Sequence, residues 1–249
     1  MCIRDRVYFT SVTDHWATAT ISGPNARNVI TKVCDDIDFS AENFGFMEWR
    51  DGNIADVAAR VFRISFTGEL SYEVNVSANY GHHVWEKLIE AGAEFNITPY
   101  GTESMHVLRA EKGFIIVGQD TDGSMTPADM NMDWVIGKNK SFSFIGERSL
   151  GRSDSVRANR KQLVGLKAID PLTVLPEGSQ IVNDPEQAIP MDMQGHVTSS
   201  YYSANMGHSI AMAVIKGGLD RMGDIVYCPS ADGTLSLIHI SEPTRRYAI

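Results

Sequence analysis

Apolar residues recur along this chain with two periods, and the switches between them mark its elements. From Val7 to Ile21 apolar and polar positions alternate, which predicts strands around a turn at Val12-Thr-Asp14. Ser22-Gly-Pro-Asn-Ala-Arg27 then sets a proline just inside a helix start, after a capping-type residue. That predicts a helix to about Cys34, with Ala26, Val29, Ile30 and Val33 as its buried stripe. Asp56–Phe66 and Leu70–Val76 read as two strands joined tightly through Thr67-Gly68-Glu69. In the second strand Leu70, Tyr72, Val74 and Val76 share one face, and Ser71, Glu73 and Asn75 share the other. Val84, Trp85, Leu88 and Ile89 fall at helical spacing within Asn79–Ala91, ahead of Gly92 as a C-cap. Thr102 caps a further helix that stops at Gly113.

After Arg148 the pattern changes. Gly151–Arg160 is polar, without apolar period, and reads as a linker. Beyond it, short β-type runs at Gln162–Lys167, Gln180–Val182, His196–Tyr202, Ile210–Ile215 and Ile225–Cys228 are separated by turn residues at even spacing. This is the signature of a small antiparallel barrel or sandwich. The expectation is an α+β chain with one domain over residues 7–150 and a second over 160–234.

The two ends are set apart from this pattern. Met1–Arg6 and Leu235–Ile240 back-translate into strings that are reverse complements of one another and match the transposon end used to build sequencing libraries. Ser241–Arg245 continues as the adjoining adapter does. Residues 1–6 and 235–249 are therefore expected to be translated adapter, and the rest a piece of a longer reading frame.

Composition narrows the function classes. The net charge of −9 argues against non-specific nucleic-acid binding, which needs a basic face to displace counterions. The three cysteines, Cys2, Cys34 and Cys228, form no Cys-x-x-Cys pair. A disulfide scaffold is not indicated, and a reduced cytoplasm is the expected setting. No apolar run is long enough to span a membrane. The histidines have no zinc-type spacing, and Gly118–Gly123 lacks the alternating oxygen ligands and final glutamate of a calcium loop. There is no Gly-x-Gly-x-x-Gly before a helix, no P-loop and no Gly-x-Ser-x-Gly elbow.

What remains is a small set of polar residues. Glu73 sits mid-strand opposite an apolar face. A carboxylate there can accept two parallel N–H bonds from a planar donor pair, or simply be solvated. Arg109 lies in a mostly apolar helix, one turn from Met105 and Gly113. Lys138, Lys140 and Arg148 form a local cationic cluster that suits a carboxylate-bearing ligand or a solvated loop.

Taken in order, these pieces resemble one family. Phe66-Thr-Gly-Glu-Leu-Ser-Tyr-Glu73, Leu108-Arg-Ala-Glu-Lys-Gly113, Gly118-Gln-Asp120, Thr126-Pro127 and Ser22-Gly-Pro24 are similar to the aminomethyltransferase-like, or glycine cleavage T-protein, family. Tyr100–Gly113, Trp134–Lys140, His196–Ser200 and Val214–Gly218 resemble the branch found in the alpha subunit of heterotetrameric sarcosine oxidases. The resemblance implies a T-protein folate-binding fold followed by a small antiparallel β-barrel. It implies that Glu73 holds the pterin ring of tetrahydrofolate and Arg109 supports the site, with Tyr72, Tyr100 and Arg63 as lining candidates. The activity it implies is uptake of the one-carbon unit from oxidative demethylation of sarcosine, giving 5,10-methylenetetrahydrofolate. The family's catalytic aspartate is expected upstream of Val7, so no catalytic residue is assigned, and the chain alone is expected to be inactive. FAD, FMN and NAD, and the beta, gamma and delta subunits, are expected only of the complete oxidase. The alternatives are the folate domain of a dimethylglycine or sarcosine dehydrogenase, a glycine-cleavage aminomethyltransferase, or a non-catalytic interaction module on the same fold.

Overall fold

The computed structural model of the chain describes residues 8–137, 139–229 and 235–242. These form two compact units, one ending at Gly101 and the other beginning at Thr102.

The first unit is built on a four-stranded antiparallel sheet. Its strands are β1 (Trp16–Ser22), β2 (Trp49–Ile54), β3 (Val57–Phe62) and β4 (Ser71–Ser77), in the order β1-β4-β3-β2. One face carries Ala17, Ala19, Ile21, Val57, Ala59, Val61, Tyr72, Val74 and Val76. It packs on α1 (Ala26–Ile30) and α2 (Gly81–Gly92), with Phe39 and Phe44 completing the core. The helix after Ser22 is shorter than its stripe predicts: α1 gives way to a 3-10 turn over Thr31–Val33, yet Ala26, Val29 and Ile30 are buried as expected.

The tight hairpin lies one strand earlier than the sequence predicts. β2 and β3 meet through the two-residue turn Ala55-Asp56, both residues having positive φ (50° and 65°), the arrangement that matches the twist of paired strands. β2 was invisible to periodicity because its residues Trp49-Arg-Asp-Gly-Asn-Ile54 bury only the last side chain fully. The Thr67-Gly68-Glu69 segment is instead part of a longer connection between Phe62 and Ser71. There Gly68, at φ 81°, donates its N–H to Ser65 Oγ. Gly92 is also not a left-handed cap. It ends α2 with φ −87°, and a Cβ there would lie 2.7 Å from Ile97; the left-handed residue is Asn96.

The second unit contains α3 (Thr102–Glu111), α4 (Glu147–Leu150) and a closed antiparallel barrel. The barrel strands are β5 (Lys161–Ala168), β6 (Gln180–Val182), β7 (Met193–Ser203), β8 (His208–Lys216), β9 (Ile225–Pro229) and β10 (Leu235–Ser241), in the closed order β10-β5-β8-β7-β6-β9. All five predicted β runs are present. The sixth strand, β10, comes from the segment set aside as adapter, and it pairs with both β5 and β9. The remaining adapter-like residues, 1–6 and 243–249, lie outside the described residues, as does Lys138. Val164, Leu166, Ile181, Val197, Ala213, Ile215, Val226, Ile238 and Ile240 fill the interior.

The stretch between α3 and β5 packs on the barrel. Met130 joins Leu163, Met212 and Val214, with Ile115, Met125 and Met132 against them. The polar linker Gly151–Arg160 ends in a buried anchor. The Arg160 guanidinium grips Asp129 (Nη2 to Oδ2 2.7 Å) and donates to the carbonyl of Ser124. Thr126 caps the same carboxylate through its N–H and hydroxyl. Burial pushes the Asp129 carboxyl up, but the Arg160 and Thr126 donors outweigh it and hold it below the ordinary aspartate value.

Candidate functional site

The sheet face opposite the first core is polar and aromatic. Register sets its composition: Thr20 lies across from Glu73, Glu73 from Phe62, and Phe62 from Trp49, so these four side chains form one row across all four strands. The next row is Thr18, Asn75, Arg60 and Asp51. Here Thr18 Oγ1 donates to Asn75 Oδ1 at 2.6 Å. Arg60 binds Asp51 with two nitrogens (2.8 and 3.0 Å) while its guanidinium stacks 4.4 Å from the centroid of Trp49. On the other side, Ser22 faces Ser71, their hydroxyls 2.8 Å apart, and the Tyr100 hydroxyl lies 3.2 Å from Ser22 Oγ.

Glu73 is the one member of its row with an ionisable group. It is partly buried, and neither carboxylate oxygen has a hydrogen-bond or ion-pair partner among the described residues. Burial pushes its carboxyl up from the ordinary glutamate value, with no cation among the described residues offsetting it. A half-desolvated acceptor between a threonine and two aromatic rings is suited to a planar ligand that offers paired N–H donors and a face to stack.

The other residues singled out from the sequence divide. Tyr100 stands beside the Glu73 face through Ser22. Tyr72 does not line it. The strand alternation turns its ring to the opposite face, where it is fully buried edge-on to Phe39 (5.3 Å) and accepts a hydrogen bond from Arg27 Nε. Its part is to pack behind Glu73. Arg63 turns to the loop before β2: its Nη1 donates to the Phe44 carbonyl, its Nε is buried without a hydrogen-bond partner among the described residues, and its backbone extends the β2–β3 ladder to Met47 and Glu48.

Arg109 belongs to the second unit and is fully buried there. Its Nη1 donates to Asp120 Oδ2 (2.6 Å) and the Phe114 carbonyl. Its Nη2 donates to Ser199 Oγ (2.7 Å) and Tyr201 OH (3.3 Å). Asp120 in turn accepts from Thr198, Ser199 and the Ile116 N–H. Both terminal nitrogens of Arg109 are engaged within this unit. Glu111 is absorbed in the same way, accepting from Ser203 and Asn205. The Leu108–Gly113 motif thus clamps α3 to β7.

Several residues of the face were not singled out from the sequence as functional: Thr20, Ser22, Phe62, Ser71 and Trp49. The alternation in Trp16-Ala-Thr-Ala-Thr-Ile-Ser22 was the available signal for the first two, but register was needed to set them beside Glu73. Among the described residues no group of histidine, cysteine and carboxylate side chains could hold a metal, and no helix is long and apolar enough to cross a membrane.

Comparison with known proteins agrees with this architecture. The sarcosine oxidase subunit alpha of Corynebacterium sp. (strain P-1) is 46% identical over 238 residues, covering 94% of this chain and 24% of that protein. The sarcosine oxidase subunit alpha of Rhizobium meliloti (strain 1021) is 37% identical over 222 residues, covering 88% of this chain and 22% of that protein. The chain thus spans about a quarter of the length of these relatives. The crystal structure of the glycine cleavage system aminomethyltransferase T from Bartonella henselae superposes with a TM-score of 0.77 over 93% of this chain and 60% of that one; at 19% identity this shows the fold. Residues 161–244 match the glycine cleavage T-protein C-terminal barrel domain, and residues 2–140 match the GCVT N-terminal domain. The chain belongs to the glycine cleavage T-protein family.

Proposed function

We propose that this chain is the tetrahydrofolate-binding module of a sarcosine oxidase alpha-type subunit, taking up the one-carbon unit released by oxidative demethylation of sarcosine as 5,10-methylenetetrahydrofolate. The observation that carries the reading is the half-buried carboxylate of Glu73, without a partner among the described residues and set in a row with Thr20, Phe62 and Trp49. A pterin ring offers the paired N–H donors such a carboxylate lacks, and an aromatic face for the neighbouring rings. Tetrahydrofolate supplies the two nitrogens that receive the carbon, N5 in the pterin ring and N10 on its side chain; the protein's part is to hold the ring in one orientation. The 46% identity to a sarcosine oxidase subunit alpha favours that branch over other members of the family.

In the complete oxidase the beta, gamma and delta subunits are the proposed partners, and FAD, FMN and NAD the proposed further cofactors. No Gly-x-Gly-x-x-Gly or P-loop in this chain offers them a site. A cytoplasmic setting follows from the same reading.

Titration calorimetry of the chain with tetrahydrofolate tests the proposal. Saturable binding is expected, and Glu73→Ala should weaken it by about a hundred-fold, as expected when a charged acceptor of two N–H bonds is removed. An unchanged affinity in Glu73→Ala would place the pterin elsewhere.

A further inference from the structure

The stretch between α3 and the barrel carries apolar side chains that this chain leaves uncovered. Of the described residues in 133–149, only Ile136 and Phe144 are half-buried and the rest are exposed. Trp134 is 72% exposed, Phe142 70%, and Ile145 fully. Lone exposed apolar residues are ordinary on any surface, but these are held together. The Lys140 side chain lies against Gly137, where a Cβ would come within 2.9 Å of its Cε, and its ammonium sits 4.1 Å from the centroid of the Phe144 ring. Lys140 thereby ties the turn that bears Trp134 to the one that bears Phe142 and Ile145. A grouped apolar surface with a polar rim marks a place where another surface sits.

The rim is basic. Lys138, Lys140, Arg148 and Arg152 stand against Asp133 and Glu147, which gives residues 133–152 a net charge of +2 in a chain of −9, so the remainder carries −11. Lys140, Arg148 and Arg152 have no ion pair among the described residues. A second copy docking through the same face would bring like charges together. A lipid surface takes an amphipathic helix, whereas the helical pieces here are a three-residue 3-10 turn over Asp133–Val135 and the four-residue α4. An acid-rimmed apolar protein surface fits both the charge and the shape. The relatives show where one is at hand: this chain matches 24% of a sarcosine oxidase subunit alpha, and the greater part of that polypeptide lies outside the match.

We propose that the face formed by Trp134, Phe142 and Ile145, with Lys140 and Arg148 at its rim, is an intrachain docking surface, covered in the complete subunit by an apolar, acid-rimmed surface of the same alpha-type polypeptide. This rests on the reading of the chain as part of a sarcosine oxidase alpha-type subunit, and not on where the folate sits.

The test compares the 249-residue chain with a full-length sarcosine oxidase alpha subunit carrying residues 7–234 of this chain in place of its own matching region, produced with and without the other subunits. Hydroxyl-radical footprinting should label Trp134 and Phe142 strongly in the 249-residue chain and lose that labelling in the full-length subunit. Carbodiimide, which joins an amine to a carboxylate in contact with it, should link Lys140 to an aspartate or glutamate of the same polypeptide outside the grafted region, and Lys140→Gln should lose the link. Labelling that persists in the full-length subunit, or is lost only when the other subunits are present, overturns the proposal, as does a Lys140 link to another subunit. If the full-length subunit does not fold, the 249-residue chain decides. Phe142→Ser combined with Ile145→Ser should leave its thermal melt unmoved, and a lowered melt shows that these side chains pack within the chain and overturns the proposal. Sedimentation with anionic vesicles, or self-association that the double substitution abolishes, overturns it too. Protection of Trp134 by tetrahydrofolate in the 249-residue chain gives this face to the ligand, which overturns the docking surface and leaves the folate reading standing. Loss of labelling in the full-length subunit without tetrahydrofolate binding does the reverse.

Discussion

Asp120→Ala should be among the most damaging single changes in the second unit. The Asp120 side chain is fully buried. It accepts hydrogen bonds from Arg109 Nη1 (2.6 Å), Thr198 Oγ1 (2.6 Å), Ser199 Oγ (2.7 Å) and the Ile116 N–H (2.8 Å). Alanine would leave the Arg109 guanidinium enclosed with no counter-charge, a change that typically costs about 3–5 kcal/mol. The abandoned Ile116 N–H adds to the loss, though not independently, because both groups belong to one network. At about 2–4 °C per kcal/mol for a chain of this size, a loss of about 4 kcal/mol lowers the melting temperature by about 8–16 °C. Thermal melts followed by near-ultraviolet circular dichroism, with urea titrations beside them, would measure it. The exposed pair Lys87–Glu90 provides the contrast: Glu90→Ala should leave the melt unmoved. If the loss comes from the stranded charge, the double change Arg109→Met, Asp120→Leu should recover most of it. An Asp120→Ala protein within about 1 kcal/mol of wild type would refute the view of this pair as a buried clamp.

Three further outcomes follow from particular residues. Burial raises the Glu73 carboxyl, so the folded chain holds a proton that the unfolded chain gives up between the ordinary glutamate value and the raised one. Stability should therefore fall as pH rises through that window, and urea titrations across it should show Glu73→Gln free of the fall, while tetrahydrofolate affinity of wild type rises. Gly195 in β7 admits no side chain, since a Cβ would lie 2.0 Å from the Val214 carbonyl oxygen. Gly195→Ala should cost about 3 kcal/mol or more and break the barrel ladder there, seen as lost hydrogen-exchange protection across β7 and β8. Ala55 occupies the left-handed region at φ 50°, where a Cβ costs about 1 kcal/mol. Ala55→Gly should raise the urea midpoint by a corresponding amount without changing the slope.

What the sequence revealed, and what it hid, follows from how far apart the interacting residues are. Strands with strong alternation or apolar runs, such as Ser71–Ser77 and His208–Lys216, were legible because their periodicity is local. β2 was not, because an edge strand with one fully buried side chain leaves little period to read. Glu73 was legible as a polar position opposite an apolar face; the pterin-holding role proposed for it came from the family resemblance. Its row with Thr20, Phe62 and Trp49 was not, because register joins residues up to 53 positions apart. Tyr72 entered the candidate lining through the family resemblance, although alternation in the strand sends it to the face opposite Glu73. Arg109 illustrates the same limit: its place in the helix leaves a paired and a rim position equally open, and Asp120 and Ser199 are identified only by the folded packing.

The clamp between α3 and β7 also bears on how this chain can change over evolutionary time. Arg109 and Glu111 on one side, and Ser199, Ser203 and Asn205 on the other, lie about ninety positions apart yet satisfy one another's polar groups. Substitutions on one side are tolerable only when answered on the other, so the two motifs should covary as a single heritable unit. A chimera that joins this chain's α3 to the barrel of a relative inherits half of that unit. It should express poorly unless the graft carries both halves across together.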